Sequence, residues 1–207
     1  STTERGSVMV LKDSLVYVGG TSNGMSSKYT GVVYGLDWQG NKLLEVYPEI
    51  EGLWSGVQQM FFQGDTLFTV LQALNDPTMK LEVHAIDAFT GQVYFKIELD
   101  STAGFDVRAW RNHPYENAYI ALGSFAGDSL DAFITNYSRS FERRRHRTHA
   151  LSGDDAYESI DWFSDSNMII AGWSSSYNGP DEDILIHLLD AEGYIIKEEV
   201  QGYNTTI

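Results

Sequence analysis

Ile86-Asp87-Ala88-Phe89-Thr90-Gly91-Gln92-Val93 reads as the end of one strand, an Asp-to-Gly turn and the start of the next strand. Asp at the head of a turn accepts hydrogen bonds from backbone amides two residues on, and Gly tolerates the positive φ that returns the chain. The same reading fits Leu36-Asp37-Trp38-Gln39-Gly40-Asn41-Lys42-Leu43 and Leu189-Asp190-Ala191-Glu192-Gly193-Tyr194-Ile195-Ile196. The turn Asp residues are 50 and 103 positions apart, so the second interval is twice a period near 51. A degenerate copy is expected around Tyr137, where Ala132-Phe133-Ile134-Thr135-Asn136-Tyr137 reads as a strand entering a polar turn. Four units then tile the chain.

The remaining strands follow the same period. First strands begin at Val8, Val57, Val107 and Ser159, and second strands at Leu15, Leu67, Tyr119 and Met168, with β-branched and aromatic residues enriched as strands prefer. Turn pairs Asn23-Gly24 and Asn178-Gly179 support tight antiparallel connections, and helical periodicity is absent. Each unit therefore holds four short strands. In the third strand both alternating sets are apolar, Val83 and Ala85 against His84 and Ile86, so the sheet requires a neighbour on either face. Four antiparallel strands repeated about every 40 to 55 residues are the signature of β-propeller blades, and radial stacking supplies both neighbours. The predicted fold is all-β, one propeller domain over residues 1–207 with blades at about 6–50, 55–100, 105–150 and 156–202. Four blades close a compact ring or form half of a larger one. In the second case the end sheets expose apolar faces that mark an interface. A β-sandwich is the alternative, although it requires no 50-residue period.

These residues also carry a resemblance. Gly19-Gly20-Thr21-Ser22 through Leu36-Asp37, and Gly172-Trp173-Ser174-Ser175 through Leu189-Asp190-Ala191-Glu192-Gly193, resemble the repeats of bacterial secreted and surface β-propellers. Ile86-Asp87-Ala88-Phe89-Thr90-Gly91-Gln92-Val93-Tyr94-Phe95 looks like a quinoprotein-type blade. That group includes quinone-dependent dehydrogenases and non-enzymatic assembly scaffolds. The resemblance implies an extracellular, cell-surface or periplasmic setting. The neighbouring cysteines that commonly sit over the quinone are missing, since the chain has no Cys.

Composition narrows the function classes. A chain of 207 residues with 43% hydrophobic and 21% charged residues is globular, and no apolar run approaches the ~20 residues of a membrane helix. Its net charge of -15 makes nucleic acid and anionic membranes poor partners. The absence of cysteine removes disulfides, thiolate metal sites and cysteine nucleophiles. The chain begins at Ser1 without Met or a signal-peptide pattern, which reads as a processed chain or excised domain.

Charge is uneven along the chain. Seven of eight arginines lie between Arg108 and Arg147, whereas residues 151–207 carry twelve acids and one Lys. Arg139, Arg143, Arg144, Arg145 and Arg147 are the candidate partner-binding cluster, for a protein, a second copy or an anionic glycan, through forked guanidinium contacts. Edge-strand charge that prevents unwanted pairing is the structural alternative. Trp38, Trp54 and Trp173 are candidates for stacking on sugar rings. Trp110 and Trp162 are read as equivalent packing residues. Asp181, Glu182 and Asp183 offer oxygen ligands suited to calcium but lack the spaced pattern of a calcium loop. His84 and His187 stand three residues before their turn Asp, with His113, His146 and His149 elsewhere, and none forms a spaced metal pair or a nucleophile triad. Asn136 and Asn204 head glycosylation sequons. No cofactor and no catalytic residue is assigned. The expected function is a non-enzymatic propeller scaffold or protein-interaction module, with a carbohydrate-binding propeller as alternative and an enzyme fragment less favoured.

Overall fold

The computed structural model describes residues 3–24, 28–74, 80–99, 105–113, 118–126, 129–162, 166–177 and 182–201. Its described residues form sixteen strands without a helix. Blade one is β1 (Glu4–Lys12), β2 (Leu15–Ser22), β3 (Thr30–Leu36) and β4 (Lys42–Val46). Blade two is β5 (Ser55–Gln63), β6 (Thr66–Ala73), β7 (Leu81–Asp87) and β8 (Val93–Glu98). Blade three is β9 (Phe105–Asn112), β10 (Ala118–Ala126), β11 (Leu130–Ser138) and β12 (Arg143–His149). Blade four is β13 (Asp155–Trp162), β14 (Asn167–Ser174), β15 (Asp183–Asp190) and β16 (Ile195–Gln201). Each is a separate antiparallel meander, with strands paired in chain order. This is the blade arrangement of a β-propeller, and the sandwich alternative falls because the strands form four sheets rather than two. The chain divides into two compact units, Ser1–Ala103 and Gly104–Ile207, each holding two blades.

The turns show the chemistry that sets the period. Asp37 accepts from the amides of Gln39 (2.9 Å) and Asn41 (2.8 Å), Asp87 from Phe89 (3.0 Å) and Thr90 (2.7 Å), and Asp190 from Tyr194 (2.8 Å). Gly40, Gly91 and Gly193 take φ of 83°, 74° and 83°. In blade three Ser138 replaces the Asp, its hydroxyl accepting from the Glu142 amide at 3.0 Å. Phe141 replaces the Gly, at φ 65°.

A β-bulge in the first strand is the second repeated device. It falls after Gly6, Val57, Val107 and Tyr157 in the four blades. Gly20, Gly123 and Gly172 stand opposite it, where an added Cβ would lie within 2 Å of the Arg5, Asp106 or Ala156 carbonyl oxygen. The bulge also corrects one expectation. Trp110 pairs with Ala121 and Trp162 with Met168, so, counted from the bulge, Trp162 is two residues further along its strand. Trp110 stacks on Tyr137 at 5.3 Å, whereas Trp162 meets His113 edge-on at 4.5 Å.

Packing within each unit follows one rule: the first strand of the second blade lies on the sheet of the first. In unit one β5 packs on β1, β2 and β3, burying Val57 and Met60 against Tyr17, Val33 and Leu44. In unit two β13 packs on β9, β10 and β11, burying Tyr157 and Ile160 against Ile120, Leu122 and Ile134. Each fully buried aliphatic or aromatic side chain contributes about 1.5–3 kcal/mol.

Candidate functional site

The arginine cluster divides by geometry. Arg139 lies in the β11–β12 turn, its guanidinium 4.4 Å from the Tyr119 ring centre and bonded to Asn112 Oδ1 at 3.2 Å. Arg143, Arg144, Arg145 and Arg147 belong to β12, the outermost strand of blade three, which among the described residues pairs with β11 alone. Period-two alternation sends Arg147 and His149 toward blade four, because their partners Ile134 and Ala132 face that core. Arg147 there donates from Nε to the Glu192 carbonyl at 2.9 Å and stacks on Tyr194 at 3.5 Å. It clamps blades three and four together. Arg144 and Arg145 are exposed. Beside the strand lies a groove of about 410 Å³ lined by His146, Arg147, Thr148, His149, Tyr194 and Ile195.

Behind that groove runs a polar chain joining four strands and the loop after β14. The Tyr157 hydroxyl bonds the Nδ1 atoms of both His149 and His187, the latter at 2.5 Å. His187 Nε2 meets Glu198 Oε2 at 2.9 Å, and the Tyr177 hydroxyl donates to Glu198 Oε1 at 2.8 Å. Burial, with His187 alongside, pushes the His149 imidazole down to about 4, so it is neutral near pH 7. Burial pushes the Tyr157 phenol well above its ordinary value. At Glu198 burial acts upward, yet hydrogen bonds from Tyr177 and His187 outweigh it and lower the carboxyl. Every member is held by another, and both Tyr157 and His187 are buried. The arrangement ties strands together and offers no open nucleophile. The sequence reading singled out the histidines but missed Tyr157, Tyr177 and Glu198, whose only signal is alternation onto the face of His187.

The other candidates stay apart. Trp38 is exposed on the β3–β4 turn, Trp54 lies before β5 edge-on to Tyr29, and Trp173 on β14 donates to Glu158 Oε1 at 3.2 Å. They occupy different blades and form no shared platform. Glu182 is exposed, Asp183 is buried at the start of β15, and Asp181 lies outside the described residues. Among the described residues no group of three or more His, Asp or Glu is placed to hold a metal ion. Asn136 is buried inside β11, and Asn204 lies outside the described residues. No helix is long and apolar enough to cross a membrane among the described residues.

No protein-family model and no curated protein matches the chain. Among solved structures it is similar to the quinohemoprotein alcohol dehydrogenase from Comamonas testosteroni, with a TM-score of 0.55 and 14% sequence identity. The match covers 93% of this chain but 34% of that one, so the chain spans about a third of its neighbour's length. At this identity the likeness is one of fold alone, that of a β-propeller.

Proposed function

We propose that this chain is a non-enzymatic β-propeller interaction module that receives an extended, acidic segment of a partner protein along the free edge of β12. The observation that carries the reading is the strand itself: one unpaired edge, Arg144 and Arg145 exposed upon it, and a groove alongside. An open edge offers backbone donors and acceptors to an added strand, while guanidinium groups select carboxylates. The net charge of -15 makes this basic edge the exception on its own surface, so acidic segments are steered to it and repelled elsewhere. The dehydrogenase activity named for the structural neighbour belongs to a chain about three times as long, and no open catalytic grouping among the described residues calls for it. The resemblance to secreted and surface repeats favours an extracellular or periplasmic setting.

The test is a fluorescence-anisotropy titration with a labelled peptide of alternating Glu and Val, at low and high salt. Binding that weakens with salt and is lost in Arg144→Glu/Arg145→Glu supports the reading. Equal binding by the variant, or none by the wild type, overturns it.

A further inference from the structure

The bulge gives every blade a common numbering. Three and five residues beyond it, the first strands carry Met9 and Leu11, Met60 and Phe62, Trp110 and Asn112, and Ile160 and Trp162. In blades two and four these are the side chains that lodge on the preceding sheet. Met60 is 5% exposed and Ile160 2%, whereas Met9 is 62% exposed and Leu11 57%. β1 therefore presents the side chains of a packing strand to solvent.

The same numbering identifies the receiving surface. Met60 and Phe62 land on Tyr17 and Val33, and Ile160 and Trp162 on Ile120, Leu122 and Ile134, all buried. In blade four the matching positions are Ile169, Ala171 and Ile186, with Ala171 opposite Ile186 across β14 and β15 and Ile169 two residues along β14. Ile169 is 40% exposed, Ala171 is exposed, and both line a shallow pocket of about 160 Å³ with Ile186.

We propose that blade one of one copy docks on blade four of a second copy, head to tail, with Met9 and Leu11 seated on Ile169, Ala171 and Ile186. The repeat selects this pairing: Met9 and Leu11 occupy the face of β1 turned away from blade two, while Lys12 on the opposite face pairs with Asp65 at 2.8 Å. Both matching surfaces occur on the same chain, and each repeats a contact that the chain already makes between its own blades. The contact is heterologous, leaving one free face at each end. It uses none of the β12 arginines and stands if the acidic-segment reading fails.

Light scattering over a concentration series, combined with variant mixing, tests it. Wild type is expected to associate reversibly. Leu11→Glu and Ile169→Glu each stay monomeric alone, and mixed they form a one-to-one dimer that grows no further, because one intact pair of faces remains. Both sites are exposed, so thermal melts should match wild type, and Arg144→Glu/Arg145→Glu should associate as wild type does. A wild type monomeric up to its solubility limit overturns the proposal, as does a mixture that stays monomeric. If either variant misfolds, peroxide footprinting of wild type decides: Met9 oxidises in dilute protein and is protected several-fold on association, with buried Met60 and Met168 as controls. Unchanged Met9 oxidation in the associated species overturns it too.

Discussion

His84 and His187 hold the same place in the third strands of blades two and four, and each ring presents Nε2 to a glutamate oxygen at 2.9 Å, yet only His187 has a partner for Nδ1. That partner is the Tyr157 hydroxyl. The matching residue of blade two, counted from the bulge, is Val57, and His84 Nδ1 is buried without a hydrogen bond among the described residues. The carboxylates differ as well: Glu82 lies two residues before His84 on its own strand, whereas Glu198 reaches His187 from the neighbouring one. Histidines at equivalent positions thus reach a carboxylate by two different routes.

Removing the Tyr157 hydroxyl should return blade four to the state of blade two. Tyr157→Phe leaves His149 Nδ1 and His187 Nδ1 unsatisfied, and each buried polar group without a partner costs about 1–3 kcal/mol. Urea unfolding should show a loss of about 2–4 kcal/mol with little change in slope. A loss under about 0.5 kcal/mol would mean that water replaces the hydroxyl.

Stability should also fall on mild acidification. The folded His149 titrates near 4, below its ordinary value near 6.5. Between those limits the unfolded chain binds a proton that the folded chain refuses, so stability is retained above the upper limit and declines as pH drops toward the lower one. One such group contributes a slope of up to about 1.4 kcal/mol per pH unit. Urea midpoints at pH 7 and pH 5 measure it, and the drop should be smaller in His149→Asn than in wild type. Equal drops would assign the slope to His84 and His146, which burial also lowers.

Phe141 carries two opposed effects. Its left-handed backbone costs roughly 1–2 kcal/mol in a residue with a Cβ. Its ring is buried and stacked on Tyr119 at 5.1 Å, where truncating a core Phe costs about 3–5 kcal/mol. Phe141→Gly restores the glycine of the other three turns but should still destabilise by about 2–3 kcal/mol in chemical denaturation. A more stable variant would show that strain outweighs the aromatic cluster.

The same residue marks where the sequence stops being readable. Asp37, Asp87 and Asp190 revealed the period because turn chemistry is local, needing only an acid and a glycine three or four residues on. Ser138 and Phe141 disguise the turn of blade three, which the period alone placed near Tyr137, since a ring stack fixes there what glycine permits elsewhere. The bulge adds one residue to each first strand without a composition of its own, so Trp110 and Trp162 looked equivalent when they are not. Tyr157, His149 and His187 meet only through packing of separate strands. The arginine run is contiguous in sequence, but a turn and the strand's alternation send its members to different neighbours.

Arg147 shows what that division means in practice. Its stack on Tyr194 and its bond to the Glu192 carbonyl are contacts within unit two, together about 1–3 kcal/mol for a partly desolvated cation–π pair and a charged hydrogen bond. Arg147→Ala should therefore lower the unfolding midpoint, while Arg144→Ala and Arg145→Ala, both at exposed positions, should stay within about 0.5 kcal/mol of wild type. Peptide binding should respond in the opposite order, falling with Arg144 and Arg145 and less with Arg147 at temperatures where that variant is folded. If all three substitutions shifted stability alike, β12 would be a packed structural strand. If Arg147 alone abolished binding without lowering the midpoint, the docking surface would be the groove rather than the strand edge.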